Sequence, residues 1–117
     1  SNVEKWHSSA DLYGKGCPIH IRGAILYNHW TKKKDIDHKY ATIQNGEKIK
    51  FCYLKTPNWM HENVISFIQD FPTELDLHKH VDYDLQFSKS FLDPIKVILD
   101  CIGWETERKN TLESFFS

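Results

Sequence analysis

Residues 48–54 read Lys-Ile-Lys-Phe-Cys-Tyr-Leu, charged and apolar side chains alternating before the run becomes continuously apolar. A period of two belongs to a strand, because successive side chains of an extended chain point to opposite faces. A single strand cannot bury its apolar face alone, so the chain must supply a partner and a cover. Asn45-Gly46 is a turn signal just before this strand, Pro57-Asn58 opens a connection after it, and Val64-Ile65-Ser66-Phe67-Ile68 is the β-branched, aromatic run suited to pair with it. The expected fold is α+β, with helices packed on a short antiparallel β element.

The covering helices are legible from their own periods. Ile21, Ile25, Leu26 and Trp30 recur three to four apart after Pro18, with Ala24 filling in, which predicts a helix from about His20 to Lys33. It ends in Lys32-Lys33-Lys34, where cations favour the negative end of the helix dipole. A second stripe, Tyr83, Phe87, Phe91, Ile95, Ile98 and Ile102, runs at spacings of four, four, four, three and four. Asp93-Pro94 predicts a break in it, as an N-cap residue followed by proline at the first helical position, and Gly103 predicts its end. The first fourteen residues lack a clear period and end at Gly14-Lys15-Gly16. Residues 1–15 therefore read as a lead-in, partly disordered or derived from cloning, and the absent initial Met suits an excised piece.

A chain of 117 residues can bury one modest core. Hydrophobic content of 40% with 14% aromatic residues excludes a disordered polymer, and no apolar run is long enough to cross a bilayer, so no membrane partner is expected. Cys17, Cys52 and Cys101 are far apart and form no C-x-x-C pair, so neither a disulfide framework nor a zinc ribbon is expected, and a reducing cytoplasm suits them. Net charge is only -1, but its distribution is polarised. Residues 15–55 carry nine basic side chains against three acids, and residues 56–117 carry five against eleven. Such a chain can turn a cationic face to phosphates, although solvated lysines alone would look the same.

Few residues suggest chemistry. His78-Lys79-His80 with Asp82 and Asp84 invites a metal, yet zinc sites need three or four converging ligands, and no H-x-x-x-H or C-x-x-C accompanies this H-x-H. Asp82-Tyr83-Asp84 resembles a metal-binding carboxylate pair but opens a helix, where aspartate caps exposed N–H groups. No nucleophile elbow, phosphate loop or zinc-helix motif is present. No catalytic residue is therefore assigned. At the end of the chain, Leu112, Phe115 and Phe116 fall at i, i+3 and i+4 behind a polar lead, the knob with which a short helical turn fills an apolar pocket. They can equally fold back on the core.

Several ordered motifs resemble one family. Gly16-Cys17-Pro18-Ile19-His20-Ile21-Arg22-Gly23 is similar to the P-I-H-I-R-G segment at the palm-to-thumb junction of family B replicative DNA polymerases of T-even-type bacteriophages. Gly46-Glu47-Lys48-Ile49-Lys50-Phe51 resembles that family's G-x-K strand, Phe87-Ser88-Lys89-Ser90-Phe91 with Pro94 its F-x-K-S-F helix, and Thr111 to Phe116 its clamp-binding terminus. The resemblance implies a thumb domain over residues 16–104 and a flexible sliding-clamp-binding tail over residues 105–117, with Leu112, Phe115 and Phe116 as the clamp contacts. It implies that His20, Arg22 and Gly23 approach the primer-strand backbone and that Lys48 and Lys89 face phosphates. Lys32, Lys33, Lys34 and Lys55 join them on charge alone.

The implied partners are primer-template DNA, a sliding clamp and the palm of the same polymerase, in the cytoplasm of an infected bacterial host. The implied parent is a DNA-directed DNA polymerase using Mg2+, but this piece lacks the catalytic residues and should need no cofactor and be inactive alone. Two departures stand out: Asp93 where a phosphate-facing lysine is expected, and Lys109 where the clamp motif has glutamine. A free-standing DNA- and clamp-binding adaptor is one alternative. A small metal-dependent nuclease using His78, His80, Asp82 and Asp84 is another.

Overall fold

The computed structural model describes residues 13–14 and 16–89. Helix α1 spans Ile19–Lys33, strands β1 and β2 span Lys50–Tyr53 and Val64–Phe67, two 3-10 turns cover Thr73–Leu75 and His78–His80, and helix α2 covers Tyr83–Lys89. The architecture is the expected α+β, built on one antiparallel pair in which Lys50 lies opposite Phe67 and Tyr53 opposite Val64.

The strand pair lies between two layers. Gly23 of α1 sits against Ser66, whose hydroxyl donates to the His20 carbonyl at 2.7 Å, so α1 covers the face carrying Ser66 and its partner Phe51. Side chains alternate along β2, so Phe67 points the other way. There it stacks on Phe71 at 5.3 Å, and Phe71 in turn meets His78 at 4.5 Å. All four β2 residues are consequently buried, Ser66 among them with its hydroxyl satisfied by the His20 carbonyl.

Helix α1 ends as a Schellman motif. Ile36 N–H donates to the Thr31 carbonyl at 2.9 Å and Asp35 N–H to the Lys32 carbonyl at 3.1 Å. Asp35 holds the left-handed position with φ of 57°, which glycine usually fills. The following loop is clasped back onto the helix by Asn28, whose side-chain amide donates to the Ile43 carbonyl at 2.9 Å and accepts from Ile43 N–H at 2.8 Å.

The outer edge of β1 is closed without a third strand. Lys55 N–H donates to the His80 carbonyl at 2.6 Å and Asp82 N–H to the Tyr53 carbonyl at 2.8 Å, around a bridge between Leu54 and Val81. The Gln86 side chain completes the edge: its oxygen accepts from Tyr53 N–H at 2.9 Å and its nitrogen donates to the Phe51 carbonyl at 3.1 Å. An exposed edge would otherwise be a template for pairing with other chains.

That closure reverses the expected face of α2. Gln86 is 5% exposed whereas Phe87 is 55% exposed, and Tyr83 and Leu85 also face outward, so Tyr83 and Phe87 do not form the core stripe that their spacing predicts. The reason is that the helix turns toward β1 the residue able to satisfy a strand edge. The rest of the predicted stripe, with the break at Asp93-Pro94 and the stop at Gly103, lies outside the described residues. Against the expectation that no disulfide forms, Cys52 is buried and disulfide-bonded, whereas the Cys17 thiol lies 3.7 Å from the Pro18 carbonyl oxygen.

Candidate nucleic-acid interface

At the C-terminal end of α1, helical spacing puts Lys33 and Lys34 one turn beyond Trp30. The Lys33 ammonium stands 5.3 Å from the centre of the Trp30 ring, and that of Lys34 stands 6.0 Å from Trp30 and 4.7 Å from Trp59. The two indoles meet edge to face at 4.8 Å, and His29 packs edge-on against Trp30 at 5.0 Å. Trp59 is fixed by its own N–H, which donates to the Leu75 carbonyl at 2.8 Å. Lys32, Lys33 and Lys34 are all exposed.

The lysines elsewhere divide into two kinds. Lys39 pairs with Glu74 at 3.5 Å and Lys79 with Asp76 at 2.9 Å, so each has a carboxylate beside it. The Glu74 carboxylate pushes the Lys39 pKa up, and the lysines in turn help hold those of Glu74 and Asp76 below the usual carboxylate range, with the Thr73 hydroxyl the larger cause at Glu74. Lys32, Lys33, Lys34, Lys48, Lys55 and Lys89 have no ion pair among the described residues. Lys48 and Lys89 are exposed, on the approach to β1 and at the end of α2. Lys55 borders an open depression of about 680 Å³ that also contains Asp82 and Asp84, an unfavourable setting for phosphate.

The segment His20 to Gly23 has a different character. Gly23 is buried, and a Cβ there would come within 2.5 Å of Ser66 Oγ and 2.8 Å of Ser66 N, so glycine is needed for helix α1 to cross β2. Its place is thus in the helix–sheet contact. Arg22 is half-buried; its guanidinium donates to Asn63 at 2.7 Å and lies 5.5 Å over the Tyr13 ring, while the Tyr13 hydroxyl donates to Glu62. His20 is half-buried, 6.4 Å from Phe51. The structure therefore separates His20, Arg22 and Gly23, at the start of α1, from Lys32, Lys33 and Lys34 at its end.

His78, His80, Asp82 and Asp84 form no converging ligand set; Asp82 instead caps α2, accepting from Leu85 N–H at 3.1 Å, as its position at a helix start implies. Among the described residues, the group that does converge is Asp35, Asp37 and His38, with ligand atoms within 4.8 Å of one another. Sequence periodicity places Trp30 in the helical core and gives no role to Trp59. The three- and four-residue spacing of Trp30 to Lys33 and Lys34 is the available signal for the first, and nothing local announces the second. The tail residues Leu112, Phe115 and Phe116, and the departures Asp93 and Lys109, lie outside the described residues.

No helix among the described residues is long and apolar enough to cross a membrane. No family model matches the chain. The sequence is 27% identical over 107 residues to the DNA-directed DNA polymerase of Enterobacteria phage T4, a match covering 88% of this chain and 12% of that protein. The chain thus corresponds to a small part of its relative's length, and the similarity supports a relationship to DNA polymerases.

Proposed function

We propose that this chain is the C-terminal thumb of a family B replicative DNA polymerase, which holds primer-template duplex through phosphate contacts and tethers the enzyme to a sliding clamp in the infected host. The observation that carries the reading is the similarity to a phage DNA polymerase across 88% of the chain. The order of motifs from Pro18-Ile19-His20-Ile21-Arg22-Gly23 to the terminal Leu112, Phe115 and Phe116 supports the thumb in particular. In this reading the palm supplies template-directed synthesis and binds the Mg2+, and the thumb supplies grip.

A thumb positions the duplex without reading sequence, so its affinity should come from phosphate neutralisation and counterion release. Anisotropy of a labelled primer-template duplex, titrated with the 117-residue chain, should show weak binding indifferent to base sequence. Affinity should fall steeply between about 50 and 200 mM salt. Lys89→Ala should weaken it. Binding that ignores salt would overturn the proposal.

A further inference from the structure

The geometry points to Trp30 and Trp59 as positioning residues that hold Lys33 and Lys34 un-neutralised and pre-aimed at the phosphate backbone of duplex DNA. This rests on the proposed thumb reading and moves its main DNA contact to the end of α1. Lys39 and Lys79, by contrast, are paired with the carboxylates of Glu74 and Asp76, which offset their charge locally. An indole attracts an ammonium through its ring quadrupole and leaves the positive charge intact.

Two long side chains that would lose rotamer freedom on meeting a phosphate are thus already held over ring faces, 5.3 Å from Trp30 and 4.7 Å from Trp59. Ordering before contact reduces what binding must spend in entropy. The nearest acids in sequence, Asp35 and Asp37, make no ion pair with these lysines and group with His38 instead. With ammonium groups over both indoles, stacked bases are disfavoured as the ligand and phosphodiester oxygens are favoured.

The test compares salt slopes on the labelled duplex. Lys33→Gln with Lys34→Gln should lower the slope of log affinity against log salt by about 2, at roughly 0.9 for each phosphate no longer neutralised. Lys39→Gln and Lys79→Gln should leave it unchanged. Trp59→Leu, with helicity checked by circular dichroism, should keep the slope and weaken binding several-fold. Because Trp59 also braces the Leu75 carbonyl, a measurement on the unmutated chain is decisive. Proton–carbon NMR should show the Lys34 ε-methylene shifted upfield by the indole ring and moving further during titration with duplex. If the chain binds duplex while that signal stays still, or while the double lysine variant keeps its slope, the inference is wrong and the thumb reading stands. If no salt-sensitive binding occurs at all, both are wrong.

Discussion

A Cβ on Gly23 would sit 2.5 Å from Ser66 Oγ, and also 2.8 Å from Ser66 N and 3.0 Å from the Ile65 carbonyl carbon. The hydroxyl can rotate away, but the strand backbone cannot, so Gly23→Ala must push α1 off β2. Overpacking of that kind costs about 1–3 kcal/mol, and a thermal melt should show a drop of several degrees. An unchanged melting temperature would mean that the helix slides freely. His78 sets a second residue-scale expectation. Its ring lies 4.5 Å from Phe71, its Nε2 is buried with no hydrogen-bond partner among the described residues, and desolvation holds its pKa below the ordinary 6.5 against the opposing pull of the Asp76 carboxylate. The unfolded chain therefore takes up this proton first as pH falls. Stability from His78 is complete above about 6.5 and declines as pH drops from there toward the folded value. Glu74 and Asp76, whose pKa values are lowered from 4.5 and 3.8, act in a lower window. Melting temperature measured from pH 7 down to about pH 5 should decline, and His78→Leu should flatten the decline. An equal slope in the variant would assign the effect elsewhere.

Among elements, α2 is decided by one amide. Gln86→Leu keeps the volume but leaves Tyr53 N–H and the Phe51 carbonyl without their partner at the edge of β1. Orphaned buried backbone groups cost about 1–3 kcal/mol. Phe87→Ala, at a side chain 55% exposed, should change stability by no more than about 0.5 kcal/mol. Urea denaturation of the two variants gives the comparison, and the opposite ranking would restore the stripe of Tyr83 and Phe87 as the core face. Here the limits of sequence reading are physical. The pair β1–β2 and helix α1 are legible because each announces itself through a local period, and Asp82 is legible as a cap because capping is local. Gln86 is not, since its partners lie 33 and 35 positions away, and Asn28 reaches 15 positions to Ile43. Asn58, which begins a loop in sequence, proves to be that loop's buried organiser, donating to the Lys55 and Glu62 carbonyls and accepting from Met60 N–H. An amide that stands in for a strand has no period of its own.

At the scale of the whole molecule, the polarised charge of the sequence becomes a difference in how lysines are held. Lys33 and Lys34 lean on aromatic faces, whereas Lys39 is tied to Glu74 across 35 positions and Lys79 to Asp76 within its own turn. Composition alone could not separate these, because the Lys39–Glu74 pair depends on which loops meet. The tail makes the complementary case, since its proposed contact belongs to another protein altogether. The described core is assembled from residues between Ala24 and Val81. If Leu112, Phe115 and Phe116 serve a clamp pocket, truncating them should remove a binding partner without removing core packing. Phe115→Ala with Phe116→Ala is therefore expected to abolish association with the cognate sliding clamp, measured by surface plasmon resonance, while the melting temperature barely moves. Two buried phenylalanines would behave oppositely, because each Phe→Ala in a core costs about 3–5 kcal/mol. A large fall in melting temperature would place these aromatics in the fold, and the grip on DNA through α1 would then have to stand without a tether.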